Sequence, residues 1–216
     1  MEPLVVVFDV NIYLDVARLI GAPFNTSALS DALARENGKP APHRDPKVDS
    51  ARALVIARSG FLAGTQRLEA WTSDHINALV RHKAKQLDDE ALLPEDRGLG
   101  WTAEHAQGLL DDLLWQVIEG SGGDTVGNLR YPEHSPPLDH EDGMVLATAL
   151  AAADGDLVCD RILVTRDRRF IEKCAELGHP RVMHPSQFVM LASRARSQAA
   201  MSRMRPRPAN TRQPES

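Results

Sequence analysis

Short apolar runs alternate with helical apolar stripes along the whole chain. Residues 4–8 form an uninterrupted apolar run, which is typical of a strand buried on both faces of a parallel sheet. Shorter runs predict strands at 68–72, 161–165 and 181–183, and one near 125–129. The intervening segments predict helices at 11–20, 26–36, 48–62, from 74 onward, 102–117, 139–153 and 168–177. The alternation predicts an α/β fold with a mostly parallel sheet.

The segment 102–117 has the cleanest apolar stripe of the chain. A stripe of this kind is typical of a helix that faces a core or a dimer partner. The sequence therefore allows either a core helix or a homodimer contact. The stripe consists of Ala106, Leu109, Leu110, Leu113, Leu114 and Val117.

Length and composition indicate one globular domain. The chain has 216 residues, of which 43% are hydrophobic and 25% charged, and this is enough to build a sizeable core. No apolar run approaches the roughly 20 residues of a membrane span, and the first residues lack the pattern of a signal peptide. We therefore expect a cytoplasmic protein with no membrane partner. Two cysteines are too few for a disulfide framework.

The charge is distributed unevenly. The net charge is −5, but the last 24 residues, 193–216, contain six arginines and one acid. A basic, proline-containing segment with few apolar residues is typical of a disordered arm. We therefore predict a domain over 1–192 and a basic, disordered tail over 193–216. The tail is interpreted either as a solubilising terminus or as an RNA-contacting arm.

Acidic residues stand at the ends of three predicted elements. Asp9 follows the first apolar strand, Asp167 follows the strand at 161–165, and a third group, Asp139-His140-Glu141-Asp142, opens the helix at 139–153. Ligands of open α/β sheets bind beyond the carboxyl ends of the strands. Each acid also has a structural explanation, because acids cap helix N-termini and complement the helix dipole. Asp9 is the least easily explained in this way, since a carboxylate after a buried strand needs a partner.

Three motifs together resemble one known family. They are Val7-Phe8-Asp9-Val10-Asn11, the segment 139–147 that begins Asp139-His140-Glu141-Asp142, and Leu163-Val164-Thr165-Arg166-Asp167. In order and spacing they are similar to the PIN-domain nucleases, especially the VapC-like bacterial toxin branch. The resemblance covers most of residues 4–190.

The resemblance implies a PIN-like parallel sheet with helices on both faces and a metal-dependent endoribonuclease, often a toxin held by an antitoxin. It implies that Asp9, Asp142 and Asp167 are the catalytic, metal-binding acids, with Asn11 and Thr165 in supporting positions. The expected cofactor is Mg²⁺ or Mn²⁺, since a hard cation prefers carboxylate oxygens. The expected partners are RNA and a cognate antitoxin. Clustered acids repel one another without a metal, which predicts a raised pKa for at least one of them.

The chain departs from the family pattern in one helix. The family has an acid in the helix after the second strand, and the aligned stretch Ile76-Asn77-Ala78-Leu79-Val80 contains none. Asp74 or Glu69 are the candidates to replace it, with Asp139 as a further supporting acid. The departure favours an alternative function, a weakly active or inactive PIN-like module that binds RNA or protein.

Overall fold

The structure is a computed structural model that describes residues 2–64, 66–91, 97–129, 138–153, 159–178 and 180–204. The strands are β1 (Leu4–Phe8), β2 (Phe61–Ala63), β3 (Gln66–Ser73), β4 (Thr125–Val126), β5 (Arg161–Val164) and β6 (Arg181–Met183). The helices are α1 (Val10–Ile20), α2 (Thr26–Asn37), α3 (Lys47–Arg58), α4 (Asp74–Lys85), α5 (Ala103–Leu109), α6 (Trp115–Ser121), α7 (His140–Ala151), α8 (Arg168–Cys174) and α9 (Pro185–Met204). A 3₁₀ turn lies at Ala41–His43 and a π-helical turn at Leu110–Leu114.

The strands form one mixed sheet in which parallel pairing dominates. Its order is β2-β3-β1-β5-β6, with β4 paired to β3 outside this path. The pairs β1–β3, β1–β5, β5–β6 and β3–β4 are parallel, and only the β2–β3 pair among the described strands is antiparallel. The predicted α/β class and mostly parallel sheet are confirmed.

The central strand β1 is covered on both faces. All five of its side chains are buried, and successive side chains of a strand point to opposite faces. Phe8 at its end contacts Tyr13 of α1 and Phe188 of α9 edge to face, with ring centroids 6.3 and 6.0 Å apart. The apolar run that predicted this strand therefore also anchors the first and last helices.

The outer edge of β3 is completed by three different acceptors. The backbone N–H of Leu68 donates to the Gly60 carbonyl at 2.9 Å, and that of Thr72 donates to the Asp124 carbonyl at 3.1 Å. Between them the Ala70 N–H donates to the Ser121 hydroxyl at 2.8 Å. The Ser121 side chain therefore bridges the gap between β2 and β4 and leaves no orphaned donor on this stretch.

The sequence pattern was wrong about the end of one helix. The helix predicted over 48–62 ends at Arg58, and β2 follows at Phe61–Ala63. Gly60 adopts a φ of +70° between them, a conformation that favours glycine and turns the chain into the hairpin with β3. The sequence also predicts loops over 92–100 and 120–137, of which residues 92–96 and 130–137 lie outside the described residues.

The apolar stripe at 102–117 belongs to the core. All six stripe residues are 3% exposed or less in the single chain, so the stripe itself is not a dimer face. It spans α5, the π-helical turn and α6 rather than one regular helix. The two cysteines are buried and unpaired, as small core residues.

The C-terminal segment is partly helical. Helix α9 continues to Met204, so residues 193–204 belong to a helix rather than to a disordered arm, and no element boundary falls at 192. Residues 205–216 lie outside the described part of the chain. Within the described part, no helix has the length and apolar character that a membrane crossing requires.

Gly123, which precedes β4, lies directly against the backbone of β3. A Cβ at this position would sit 1.7 Å from the Ala70 carbonyl oxygen, whereas a Cβ at Gly127 would meet nothing within 4 Å. We expect Gly123→Ala to lower the free energy of unfolding by about 1–3 kcal/mol or more, because backbone must move to admit the methyl group. Gly127→Ala is the control. Thermal unfolding of both variants tests this, and an unchanged Tm for Gly123→Ala would contradict the close packing.

Candidate active site

Asp9 and Asp167 lie at the carboxyl ends of adjacent parallel strands. Asp9 directly follows β1, Asp167 is the third residue after β5, and the two strands are paired in register from Val5 to Phe8. Each residue also caps the helix that follows it. Asp9 Oδ1 accepts from the Val10 N–H at 2.6 Å, and Asp167 Oδ1 accepts from the Arg169 and Phe170 N–H groups at 2.7 and 3.1 Å. Both acids therefore cap a helix and also lie at the carboxyl edge of the sheet.

The second oxygen of Asp9 is held across the β1–β5 junction. Thr165 Oγ1 donates to Asp9 Oδ2 at 2.6 Å, and Asn11 Nδ2 donates to the same oxygen. Asp9 is only 7% exposed. The three hydrogen bonds supply the partners that a buried carboxylate requires.

Asn11 connects the two strand ends. Its amide nitrogen donates to Thr165 Oγ1 at 3.0 Å, and its oxygen accepts from the Arg166 backbone N–H at 3.1 Å. The Thr165 hydroxyl in turn accepts from the Asp167 N–H at 3.0 Å. Asn11 and Thr165, both predicted as supporting residues, therefore fix the relative positions of Asp9 and Asp167.

Helix α7 brings the third acidic segment to the same place. It packs against β1, β3 and β5, and its buried Thr148 hydroxyl lies 2.9 Å from the Ser73 hydroxyl at the start of α4. Asp139 is the N-cap, with Oδ1 accepting from the Asp142 N–H at 2.9 Å. Within the described residues, the carboxylate of Asp142 has no hydrogen-bond partner and no ion pair. This third predicted acid is thus left free for another ligand.

The acids disturb one another's protonation. Burial raises the pKa of Asp9 from 3.8 to about 6, against the opposing effect of its hydrogen bonds. Burial also raises the pKa of Asp142 to about 7, with further contributions from the charges of Asp139, Asp9 and Asp167. The pKa is raised at both acids, with burial as the largest cause and the repulsion expected from the sequence as a smaller one. The charges of Asp9 and Asp167 both act on Asp142, as expected for three acids that line one cleft.

The acids line a cleft that also carries many cations. The cleft has a volume of about 930 Å³. Asn11 lines it, and so do the acids Asp9, Asp15, Asp88, Asp139, Glu141, Asp142 and Asp167, of which Asp9, Asp142 and Asp167 form the acidic centre. The cations that line the same cleft are Arg18, Lys47, Lys83, Arg97, Arg166, Arg168, Arg169 and Lys173.

The candidates for the missing helix acid do not line this cleft. Asp74 is exposed in the first turn of α4, and Glu69 pairs with Arg67 at 3.2 Å. Helix α4 instead contributes Leu79 and Lys83 to the cleft. Among the described residues, the further acids that line the cleft are Asp15, Asp88, Asp139 and Glu141, and neither Asp74 nor Glu69 is among them.

Asp15 and Arg166 form a pair that the sequence motifs did not identify. Arg166 Nη1 donates to both carboxylate oxygens of Asp15, at 2.8 and 2.9 Å, and the Ser50 hydroxyl donates to Asp15 Oδ2 at 2.7 Å. The signal in the sequence is the helical spacing, since residues four apart share one helix face and Asp15 stands four residues after Asn11.

The donor set suits a hydrated hard cation. Within the described residues, no group of three or more His, Cys, Asp or Glu side chains is arranged to hold a metal ion by itself. Mg²⁺ is usually bound through one or two carboxylates and retains several waters. The carboxylate of Asp142, which has no partner of its own among the described residues, and the raised pKa values of Asp142 and Asp9 fit a cation held in this way.

Comparisons with known proteins add no assignment. No family model matches the chain, no curated protein matches it, and no solved structure matches it.

We expect Asp142→Asn to stabilise the protein at alkaline pH. A carboxyl group whose pKa is higher in the folded than in the unfolded chain binds protons more tightly when folded, so its contribution to stability is present at low pH and lost as the pH rises from about 4 to about 7. At pH 8 the gain should be about 1–2 kcal/mol, or about 3–6 °C in Tm, after allowance for solvent screening.

Thermal unfolding between pH 4 and pH 8 tests this expectation. The advantage of Asp142→Asn should shrink as the pH falls and disappear near pH 4. Asp31→Asn, at an exposed position on α2, is the control and should show no such trend. A Tm of Asp142→Asn equal to or below that of the wild type at every pH would contradict the acidic cluster.

Proposed function

We propose that the chain is a PIN-like, metal-dependent endoribonuclease that hydrolyses phosphodiester bonds of RNA in the cleft at the carboxyl edge of the sheet. The observation that carries the proposal is the convergence of Asp9, Asp142 and Asp167 from three separate elements. Their sequence motifs are also the ones that resemble the PIN-domain nucleases. Asp9, Asp142 and Asp167 are the proposed catalytic and metal-binding residues, and the proposed cofactor is Mg²⁺ or Mn²⁺.

Each proposed residue has a distinct task in this arrangement. The Asp142 carboxylate, without a partner of its own among the described residues, is the most available ligand, while Asp9 offers the lone pairs that Val10, Asn11 and Thr165 do not use. Asp167 presents Oδ2, since its Oδ1 caps α8. A divalent cation bound here supplies activation of water and neutralisation of phosphate charge.

The carboxylates must lose their protons to accept a cation. With the pKa of Asp9 at about 6 and that of Asp142 at about 7, the proposed site is protonated and weakly binding near pH 5. Metal affinity should therefore increase from pH 5 to pH 8. The same protons relieve the mutual repulsion of the acids when no cation is present.

The cations of the cleft support an anionic polymer as substrate. Arg168, Arg169 and Lys173 of α8 and Lys83 of α4 line the cleft, and none of them forms an ion pair with another described residue. Cations without carboxylate partners are free to neutralise phosphates. A cleft that combines clustered acids with unpaired cations fits a phosphodiester strand that is cut by a metal-dependent mechanism.

The role as the toxin of a toxin–antitoxin pair is proposed from the sequence resemblance. A cognate antitoxin is then expected to occupy the same cleft, with an arginine that reaches the carboxylates, because a guanidinium carries charge and hydrogen-bond donors suited to them. A homodimer remains a prediction.

One observation favours a second function. Helix α4 contributes Leu79 and Lys83 to the cleft where the family pattern has an acid, and the described residues include no preassembled group of three metal ligands. A PIN-like module that binds RNA or protein without cutting it is consistent with such a cleft.

Substitution of Asp142 separates the two functions. The Asp142 side chain has no hydrogen bonds to lose among the described residues, so Asp142→Asn changes the charge with little effect on the structure. We expect this substitution to lower Mn²⁺ affinity by at least about tenfold and to abolish cleavage of a mixed RNA pool. Calorimetric titration with Mn²⁺ at pH 8 and a cleavage assay, each with and without chelator, measure these effects.

The matched control is Asp160→Asn. Asp160 lies at the opposite end of β5, where it pairs with Arg181 at 2.7 Å, and its substitution should leave both properties unchanged. Wild-type protein that binds Mn²⁺ and cuts RNA, together with an inactive Asp142→Asn, supports the nuclease. Wild-type protein that binds no Mn²⁺ and cuts nothing excludes it and leaves the binding module.

A further inference from the structure

Arg166 combines a fixed position with unused hydrogen-bond donors. It stands between Thr165 and Asp167, and its backbone N–H is held by Asn11 at 3.1 Å. Its side chain lines the cleft and is 32% exposed, whereas the side chain of Asp15 is 4% exposed. The arginine therefore extends from a buried anchor to the open cleft.

The pairing with Asp15 occupies one end of the guanidinium group. Only Nη1 contacts Asp15, and it reaches both carboxylate oxygens. A guanidinium has five N–H donors, of which Nη1 carries two. The three donors on Nε and Nη2 have no partner among the described residues.

Asp15, which anchors Arg166, is also held by a second residue. The Ser50 hydroxyl of α3 donates to Asp15 Oδ2 at 2.7 Å, and Ser50 is fully buried. Asp15 therefore receives hydrogen bonds from two elements and limits the orientations that Arg166 can adopt. A guanidinium fork held in this way matches the geometry of a phosphate group.

We propose that Arg166 binds a phosphate of the substrate strand next to the acidic centre, and that Asp15 is the residue that positions it. The inference rests on the proposed function, since it assumes that RNA enters this cleft. Because Asp15 holds only one end of the guanidinium group, the pair offers a directional phosphate contact beside the acids.

Binding of RNA in the absence of metal tests the proposal. The probe is a fluorescein-labelled single-stranded RNA in buffer with EDTA, titrated with protein at several salt concentrations and followed by anisotropy. We expect Arg166→Gln to weaken binding by about ten- to a hundredfold. It should also reduce the slope of log Kd against log salt by about 0.7, the value for one lost phosphate contact.

Two further variants separate positioning from charge. Arg166→Lys retains the charge and reaches Asp15 or the phosphate but not both, so we expect severalfold weaker binding with the salt slope retained. Asp15→Asn removes a negative charge, for which charge alone predicts tighter binding of RNA. If Asp15 positions Arg166, this variant binds severalfold more weakly instead, again with the slope retained.

The control is Arg181→Gln, which breaks the comparable pair with Asp160 at the opposite end of the sheet and should bind like the wild type. Circular dichroism shows that each variant is folded at the temperature used. Equal binding by the wild type and Arg166→Gln, tighter binding by Asp15→Asn, or an equal loss in Arg181→Gln would overturn this inference alone. A wild-type protein that binds no RNA would overturn the proposed function with it.

Discussion

The site depends on how the protein keeps a carboxylate at the end of a fully buried strand. Burial of Asp9 favours its neutral form and raises its pKa to about 6, so the folded protein binds a proton at Asp9 more tightly than a free carboxyl group does. The hydrogen bonds from Val10, Asn11 and Thr165 oppose this rise. Asn11 follows β1 and Thr165 follows β5, so the hydrogen bonds that satisfy Asp9 also join the ends of these two strands. The need to hydrogen-bond this buried carboxylate therefore fixes the geometry of the sheet edge where the acids lie.

The acidic centre is a local source of instability that the surrounding packing tolerates. Asp142 gains nothing from hydrogen bonds among the described residues, and three neighbouring carboxylates raise its pKa further. A protein selected for stability alone would place a neutral side chain there, since like charges at close range repel. Strongly perturbed acids grouped in a cleft are more typical of functional sites. The energetic conflict therefore supports the proposal that the cleft binds a cation.

Much of the fold could be predicted from the chain because its strands have strong apolar signals. The run at 4–8 and the Asp-capped helices after it were found from local patterns, since burial on both faces and N-capping leave clear marks in the sequence. The hairpin at Phe61–Ala63 was missed because its apolar residues continue the spacing of α3. The disordered tail was predicted from composition, although residues 193–204 extend α9. Composition does not reveal whether a preceding helix, anchored by Phe188, continues into a polar segment.

The site was predictable in its acids and in Asn11 and Thr165, but not in its cations. Asp9, Asp142 and Asp167 stand at element ends that a parallel sheet brings to one edge, so their convergence follows from topology. The partner of Arg166 does not follow from topology, because it depends on which face of α1 meets the turn after β5. The contribution of α4 depends in the same way on helix rotation, and it places Lys83 rather than Asp74 at the cleft. Helix rotation therefore determines which cations line the cleft, while strand order determines the position of the acidic centre, and a ligand of this cleft must satisfy both.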